Sequence, residues 1–136
     1  YDRAPGRTRT EGRAVSLMVS EEIKRFLDFV DESRKKYSSA MDKMHLEEKR
    51  LQDFLHAIEF EPTAKGRSKI TTKLHKSRQE RRRQKDTVEE LEELVKFFQE
   101  PQHKKTLDQM TQLLGRIRKV EKYHAERQYK PRVPEN

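Results

Sequence analysis

Apolar residues recur along this chain at helical spacing. Ile23, Val30, Tyr37, Met44, Leu51 and Ile58 follow one another every seven residues, and Phe26, Leu27, Ala40, Met41, Phe54 and Leu55 fill the companion positions. A seven-residue apolar repeat sustained over this length predicts one long helix with a coiled-coil type of seam. Ser20 offers a capping hydroxyl, and Glu21 and Glu22 suit the positive end of the helix dipole. Residues 20–61 contain neither Pro nor Gly, so the helix should extend about 60 Å at 1.5 Å per residue. Phe60-Glu61-Pro62 ends it, because proline disfavours helical backbone in the residue before it.

A second helix is expected over about 64–98, with Ile70, Leu74, Val88, Leu91, Val95 and Phe98 as its apolar set. Nothing apolar lies between Leu74 and Val88. Pro101 is placed to open a third helix, whose apolar face reads Leu107, Met110, Leu114, Ile117, Val120 and Tyr123 and which should reach about Arg127. Beyond it Pro131 and Pro134 bar helix and leave an extended tail over 129–136.

The polar breaks suggest how the helices pair. The first seam is interrupted at Ser33/Arg34 and at Glu47/Glu48. If the second helix folds back so that paired residue numbers sum to about 127, Glu47 and Glu48 face Arg78 and Arg81, and Arg34 faces Glu92 and Glu93. Interruptions of opposite charge then meet; such pairs contribute only about 0.5 kcal/mol each when exposed, yet they select a register. Chance coincidence on a solvated face is the competing explanation. The expected fold is all-α: a long antiparallel helical hairpin, coiled-coil-like, with a shorter third helix packed on its open end beside Ile23–Val30. A single helical domain over 18–128 follows. Residues 1–17 show no periodicity, and Met18 reads as a natural start, so they are either a disordered arm or upstream sequence. Phe54, Leu55, Ile58, Ile70 and Leu74 exceed what two helices can hide at the far end, which predicts a homodimer contact there.

Composition fits this thin shape. Of 136 residues 41% are charged and 31% hydrophobic, against roughly 45–50% apolar (Gly included) in ordinary globular domains. A deep enzyme-like pocket is not expected. Four Gly and five Pro are too few for an all-β fold, and the absence of Cys excludes disulfides, thiolate metal sites and thiol nucleophiles. His45, His56, His75, His103 and His124 form no metal-ligand spacing, and no Gly-rich phosphate loop or nucleophile elbow is present. The chain therefore reads as a non-enzyme without catalytic residues, metal or cofactor. No apolar run approaches the ~18 residues of a membrane span.

The net charge of +8 is concentrated. Residues 62–85 hold ten basic residues and one acidic residue, whereas residues 20–61 and 86–114 are net acidic. Lys65, Arg67, Lys69, Lys73, Lys76, Arg82, Arg83 and Lys85 are the candidate binding surface, with Arg78 and Arg81 given to the Glu47/Glu48 layer. Lys69, Lys73, Lys76 and Arg83 fall at spacings that align them in one outward stripe. Such a row suits phosphates or an acidic groove on another protein; a merely solvated face is the bland alternative. Residues 62–96 hold no aromatic that could stack on bases, and no helix-turn-helix, zinc or RNP-like pattern occurs.

Four stretches carry a resemblance: Asp53-Phe54-Leu55-His56-Ala57-Ile58-Glu59, Arg78-Gln79-Glu80-Arg81-Arg82-Arg83, Leu114-Gly115-Arg116-Ile117-Arg118-Lys119 and Tyr129-Lys130-Pro131-Arg132-Val133. Together they resemble a group of small uncharacterised helical proteins encoded in bacteriophage and prophage genomes. None is a catalytic signature. The resemblance implies a phage accessory protein in the cytoplasm of a bacterial host. Such a protein would bind and modulate, as an inhibitor, a host nucleic-acid-handling or defence enzyme such as a CRISPR effector. The alternatives are a direct DNA- or RNA-binding protein acting in transcription or packaging, and a structural coiled-coil adaptor.

Overall fold

With neither Pro nor Gly between Met18 and Glu61, nothing interrupts the helical backbone. In a computed structural model, which describes residues 18–133, α1 runs unbroken over Val19–Phe60, α2 over Ala64–Gln99 and α3 over Pro101–Glu126. The chain is all-helical, with no strand among the described residues. The expected helix ends fall within a residue of these bounds. Residues 127–133 are exposed and non-helical; the arm expected over 1–17 and the last residues of the tail, 134–136, lie outside the described residues.

Both links are short and locally bonded. Thr63 is extended at φ −103° and ψ 146° and caps α2, its Oγ1 accepting from the Gly66 N–H at 2.9 Å. The Glu61 carboxylate accepts from the Thr63 N–H at 3.2 Å and from its hydroxyl at 2.9 Å, and Arg67 donates to the Glu61 carbonyl at 3.0 Å. Orphan groups at the start of α2 are thus satisfied within a few residues. At the second link Glu100 donates its N–H to the Phe97 carbonyl at 3.3 Å. Pro101 then opens α3, where its missing N–H costs nothing.

Contacts divide the chain into two compact units. Unit 2 is Val30–Pro101; among the described residues unit 1 combines 18–29 with 102–133. In unit 2 the α1 residues Val30, Ser33, Ala40 and Glu47 are buried, and Tyr37, Met44, Leu51, Phe54 and Ile58 are half-buried. These positions alternate at spacings of three and four. On α2 the same alternation runs through Ile70, Leu74, Ser77, Arg81, Gln84, Val88, Leu91, Val95 and Phe98. The apolar gap between Leu74 and Val88 is therefore no gap in the buried face: Ser77, Arg81 and Gln84 continue it.

A buried polar face must bond internally. Ser77 Oγ donates to Glu47 Oε1 at 2.7 Å, and Arg50 Nη1 donates to Glu47 Oε2 at 2.7 Å. Arg81 donates from Nε to Glu48. The expected charge layer is thus changed in detail. Arg81 meets Glu48, but Arg78 is exposed and Ser77 takes its place against Glu47. One step along a helix turns a side chain by about 100°, which separates Arg78 from its buried neighbour. The second expected layer does not form. Among the described residues Arg34 makes no ion pair with Glu92 or Glu93; its Nε is buried without a hydrogen bond, and Glu92 pairs with Lys96 on its own helix at 3.7 Å. The same one-residue rotation applies, since Ser33 and not Arg34 holds the buried position.

In unit 1, α3 buries Leu107 and Leu114 and half-buries Met110, Ile117 and Glu121, while Ile23 and Leu27 of α1 are half-buried. Continuing the three-and-four spacing past Ile117 lands on Glu121. Val120 and Tyr123, expected on the apolar face, are instead 54% and 63% exposed. Glu121 has a structural task. Ser20, only 3% exposed, lies inside the first turn of α1, and its N–H and hydroxyl donate to the Glu121 carboxylate at 3.2 and 2.7 Å. The capping group is thus a carboxylate from α3, not the serine expected from the sequence; it satisfies an orphan N–H and complements the helix dipole.

Glu121→Ala leaves both Ser20 donors buried without an acceptor. It should lower the unfolding free energy by about 1–3 kcal/mol, whereas Glu121→Gln, which keeps an acceptor oxygen, should lose less. Denaturant melts followed by circular dichroism read the difference.

Candidate docking site

The basic segment lies almost wholly on the first half of α2. Lys65, Arg67, Lys69, Lys73, Lys76, Arg78, Arg82 and Arg83 are exposed, and Lys85 is half-buried. They are distributed around the helix, as consecutive positions must be. Lys73, Lys76 and Arg83, three of the four residues expected in one stripe, line a single open cleft of about 400 Å³; Lys69 does not. From α1 the cleft is lined by Arg50, Phe54 and Glu47, and Ser77 and Glu80 complete it.

The two acids in this cleft are already committed. Glu47, 3% exposed, is held by Ser77 and Arg50. Glu80 accepts from Gln84 Nε2 at 2.6 Å and from Arg83 Nε at 3.1 Å. The hydrogen bond from Gln84, and then that from Arg83, holds the Glu80 carboxyl below the usual glutamate range. Arg50 and Arg83 are thereby partly neutralised. Lys73 and Lys76 form no ion pair among the described residues, so they supply the uncompensated charge of the cleft.

Arg50 was not singled out in the sequence because it stands in a net acidic stretch. The signal that would have found it is its i, i+3 spacing from Glu47 together with Phe54 one turn later.

Apolar exposure in unit 2 is narrower than the sequence suggests. Of the five residues expected to form a dimer contact, Phe54, Ile58, Ile70 and Leu74 are half-buried and only Leu55, at 48%, is exposed. Phe60, at the end of α1, is 77% exposed. A second open groove of about 370 Å³ is acidic, lined by Glu92, Glu93, Lys96, Phe97 and Glu100. Among the described residues no group of three or more His, Asp or Glu side chains is arranged to hold a metal ion, and no helix is long and apolar enough to cross a membrane.

Because Glu80 is stabilised in its charged form, its proton should bind only at lower pH than for an unpaired glutamate. A carboxyl NMR titration should place its midpoint below the ordinary glutamate value. Gln84→Ala should move it back up, and an unchanged midpoint would mean that the Gln84 bond is not populated in solution. Comparison with protein-family models, curated proteins and solved structures finds no match to the chain.

Proposed function

We propose that the chain is a non-enzymatic binding protein that docks an acidic protein surface through the part of unit 2 around the α1–α2 link. The observation that carries this reading is a cleft in which Phe54 lies beside the uncompensated cations Lys73 and Lys76, with Leu55 and Phe60 exposed further along α1. An apolar anchor with a charged rim is the anatomy of a protein interface. Duplex phosphates call for cations alone, and residues 62–96 set no Phe, Tyr or Trp among these cations on which single-stranded bases could stack.

The finer architecture belongs to the same reading. α1 and α2 form an antiparallel, coiled-coil-like hairpin, supported by the Glu47–Ser77 and Glu48–Arg81 bonds and by a link of only Glu61, Pro62 and Thr63. The resemblance to phage-encoded proteins supplies the setting: an accessory protein in a bacterial host that modulates a nucleic-acid-handling or defence enzyme, a CRISPR effector being one such target. Electrostatics then restricts the docking face. The nucleic-acid groove of such an enzyme is itself basic and would repel Lys73 and Lys76. Contact is therefore made on an acidic face away from that groove.

The test is retention of host proteins by the immobilised chain from a bacterial lysate, with and without nuclease treatment. Lys73→Glu with Lys76→Glu, and separately Phe60→Ser, should release the retained protein, the aromatic truncation costing about 2 kcal/mol or more. Lys35→Glu, on an exposed site of α1 outside the cleft, should not. Retention that survives both variants, or that disappears with nuclease alone, contradicts the reading. A sedimentation mass that doubles in the native chain and halves in Phe60→Ser would assign the surface to a second copy instead.

A further inference from the structure

Unit 1 carries a second concentration of charge that the docking site does not use. Arg116, Arg118, Lys119, Lys122, Arg127, Lys130 and Arg132 are all exposed, and none forms an ion pair among the described residues. The only acids within 115–133 are Glu121 and Glu126. Glu121 is consumed by Ser20 at 2.7 and 3.2 Å, so it is withdrawn from the surface that these cations share.

Aromatic rings lie among the cations. Tyr123 is 63% exposed and Tyr129 is 86% exposed. The Tyr123 and His124 rings form a T-shaped pair, with centroids 5.5 Å apart and planes at 68°. Arg116, Lys119 and Tyr123 recur at spacings of three and four and so share one face of α3, and Arg127 follows just past its end, its N–H donating to the Tyr123 carbonyl at 2.9 Å. That face lies opposite the one that buries Leu107 and Leu114. From Arg116 to Tyr123 the stripe runs for about 11 Å along the helix at 1.5 Å per residue. It continues into the non-helical residues Tyr129, Lys130 and Arg132.

We propose that this face of α3 and the segment after it bind single-stranded nucleic acid, with Tyr123 and Tyr129 stacking on unpaired bases and the cations neutralising the intervening phosphates. Cations interleaved with open aromatic faces are the two components that sequence-tolerant single-strand binding requires. Duplex binding would use the cations alone and leave the tyrosines idle. A membrane-surface helix would need a continuous apolar face, and this one offers only Val120. The proposal does not depend on the protein-docking reading, since it uses no residue of unit 2.

The experiment is fluorescence anisotropy of the full chain with a labelled oligothymidylate and with the matching duplex, titrated at several salt concentrations. The single strand should bind more tightly than the duplex. Tyr123→Ala and Tyr129→Ala should each weaken single-strand binding by roughly tenfold, and Tyr→Phe at either position should restore it. Replacing Arg116, Lys119 and Arg127 together by Ala should reduce the slope of log affinity against log salt by about 2. All of these positions are exposed, so helicity should be retained. The proposal is overturned by any of three results: no binding at low salt, equal affinity for single strand and duplex with both Tyr→Ala variants unaffected, or binding abolished by Lys73→Glu with Lys76→Glu while the α3 variants bind normally.

Discussion

The Glu47 carboxylate, withdrawn from water between Ser77 and Arg50, is the constraint on which unit 2 depends. A buried carboxylate is tolerated only while its oxygens are bonded. Its net contribution to stability is small, but any packing of α1 on α2 that keeps it buried and separates it from Ser77 leaves Oε1 without its donor. Selectivity of this kind matters here because little else provides it. Among the described residues only Val30, Ala40, Val88, Val95, Leu107 and Leu114 are buried apolar side chains, and small apolar surfaces slide over one another at low cost. The short Glu61–Thr63 link removes most of the slack, and the Glu47 layer fixes the remainder. The same layer forms part of the cleft that presents Lys73 and Lys76, so the polar centre of the packing and the proposed docking surface share residues.

A common device operates in both units. Acidic side chains are turned to internal tasks: Glu47 toward Ser77, Glu48 toward Arg81, Glu61 toward the α2 cap and Glu121 toward the start of α1. Glu47 and Glu48 each take up one cation, Arg50 and Arg81, whereas the Glu61 and Glu121 carboxylates are bonded to Thr63 and Ser20 instead. The positive charge left to the surface at the end of α3 is therefore larger than residue counts alone imply. Two chemically different sites emerge from the same device. Leu55 and Phe60 accompany the cations in unit 2, whereas tyrosines accompany them in unit 1. A chain that grips a protein with one and a single strand with the other would suit a modulator of a nucleic-acid-handling complex.

Helix existence and helix ends were legible because they rest on local chemistry: the Pro62 and Pro101 breaks and long runs free of Gly and Pro. The basic segment was legible from charge alone. What escaped was rotational phase. Ser33 rather than Arg34, and Ser77 rather than Arg78, occupy buried positions, and a serine carries no hydropathy signal that would mark it as buried. The cleft residue Arg50 escaped because it belongs to a different helix from the cations it joins. The Ser20–Glu121 contact spans 101 positions, a separation at which no local pattern can announce a partner. Val120 and Tyr123 were misplaced for a related reason: the three-and-four spacing of α3 continues through the polar Glu121, while hydropathy alone favours its apolar neighbours.

The most direct measurement is a double-mutant cycle on Glu47 and Ser77, read from denaturant unfolding of the native chain, Glu47→Leu, Ser77→Ala and the double variant. If the buried layer locks α1 to α2, Ser77→Ala alone should cost about 1–3 kcal/mol by stripping the carboxylate of a donor. The double variant, in which neither polar group remains, should then be more stable than Ser77→Ala, with a coupling of about 1–3 kcal/mol between the two sites. Additive effects, with a coupling below about 0.5 kcal/mol, would contradict the central role given to this layer.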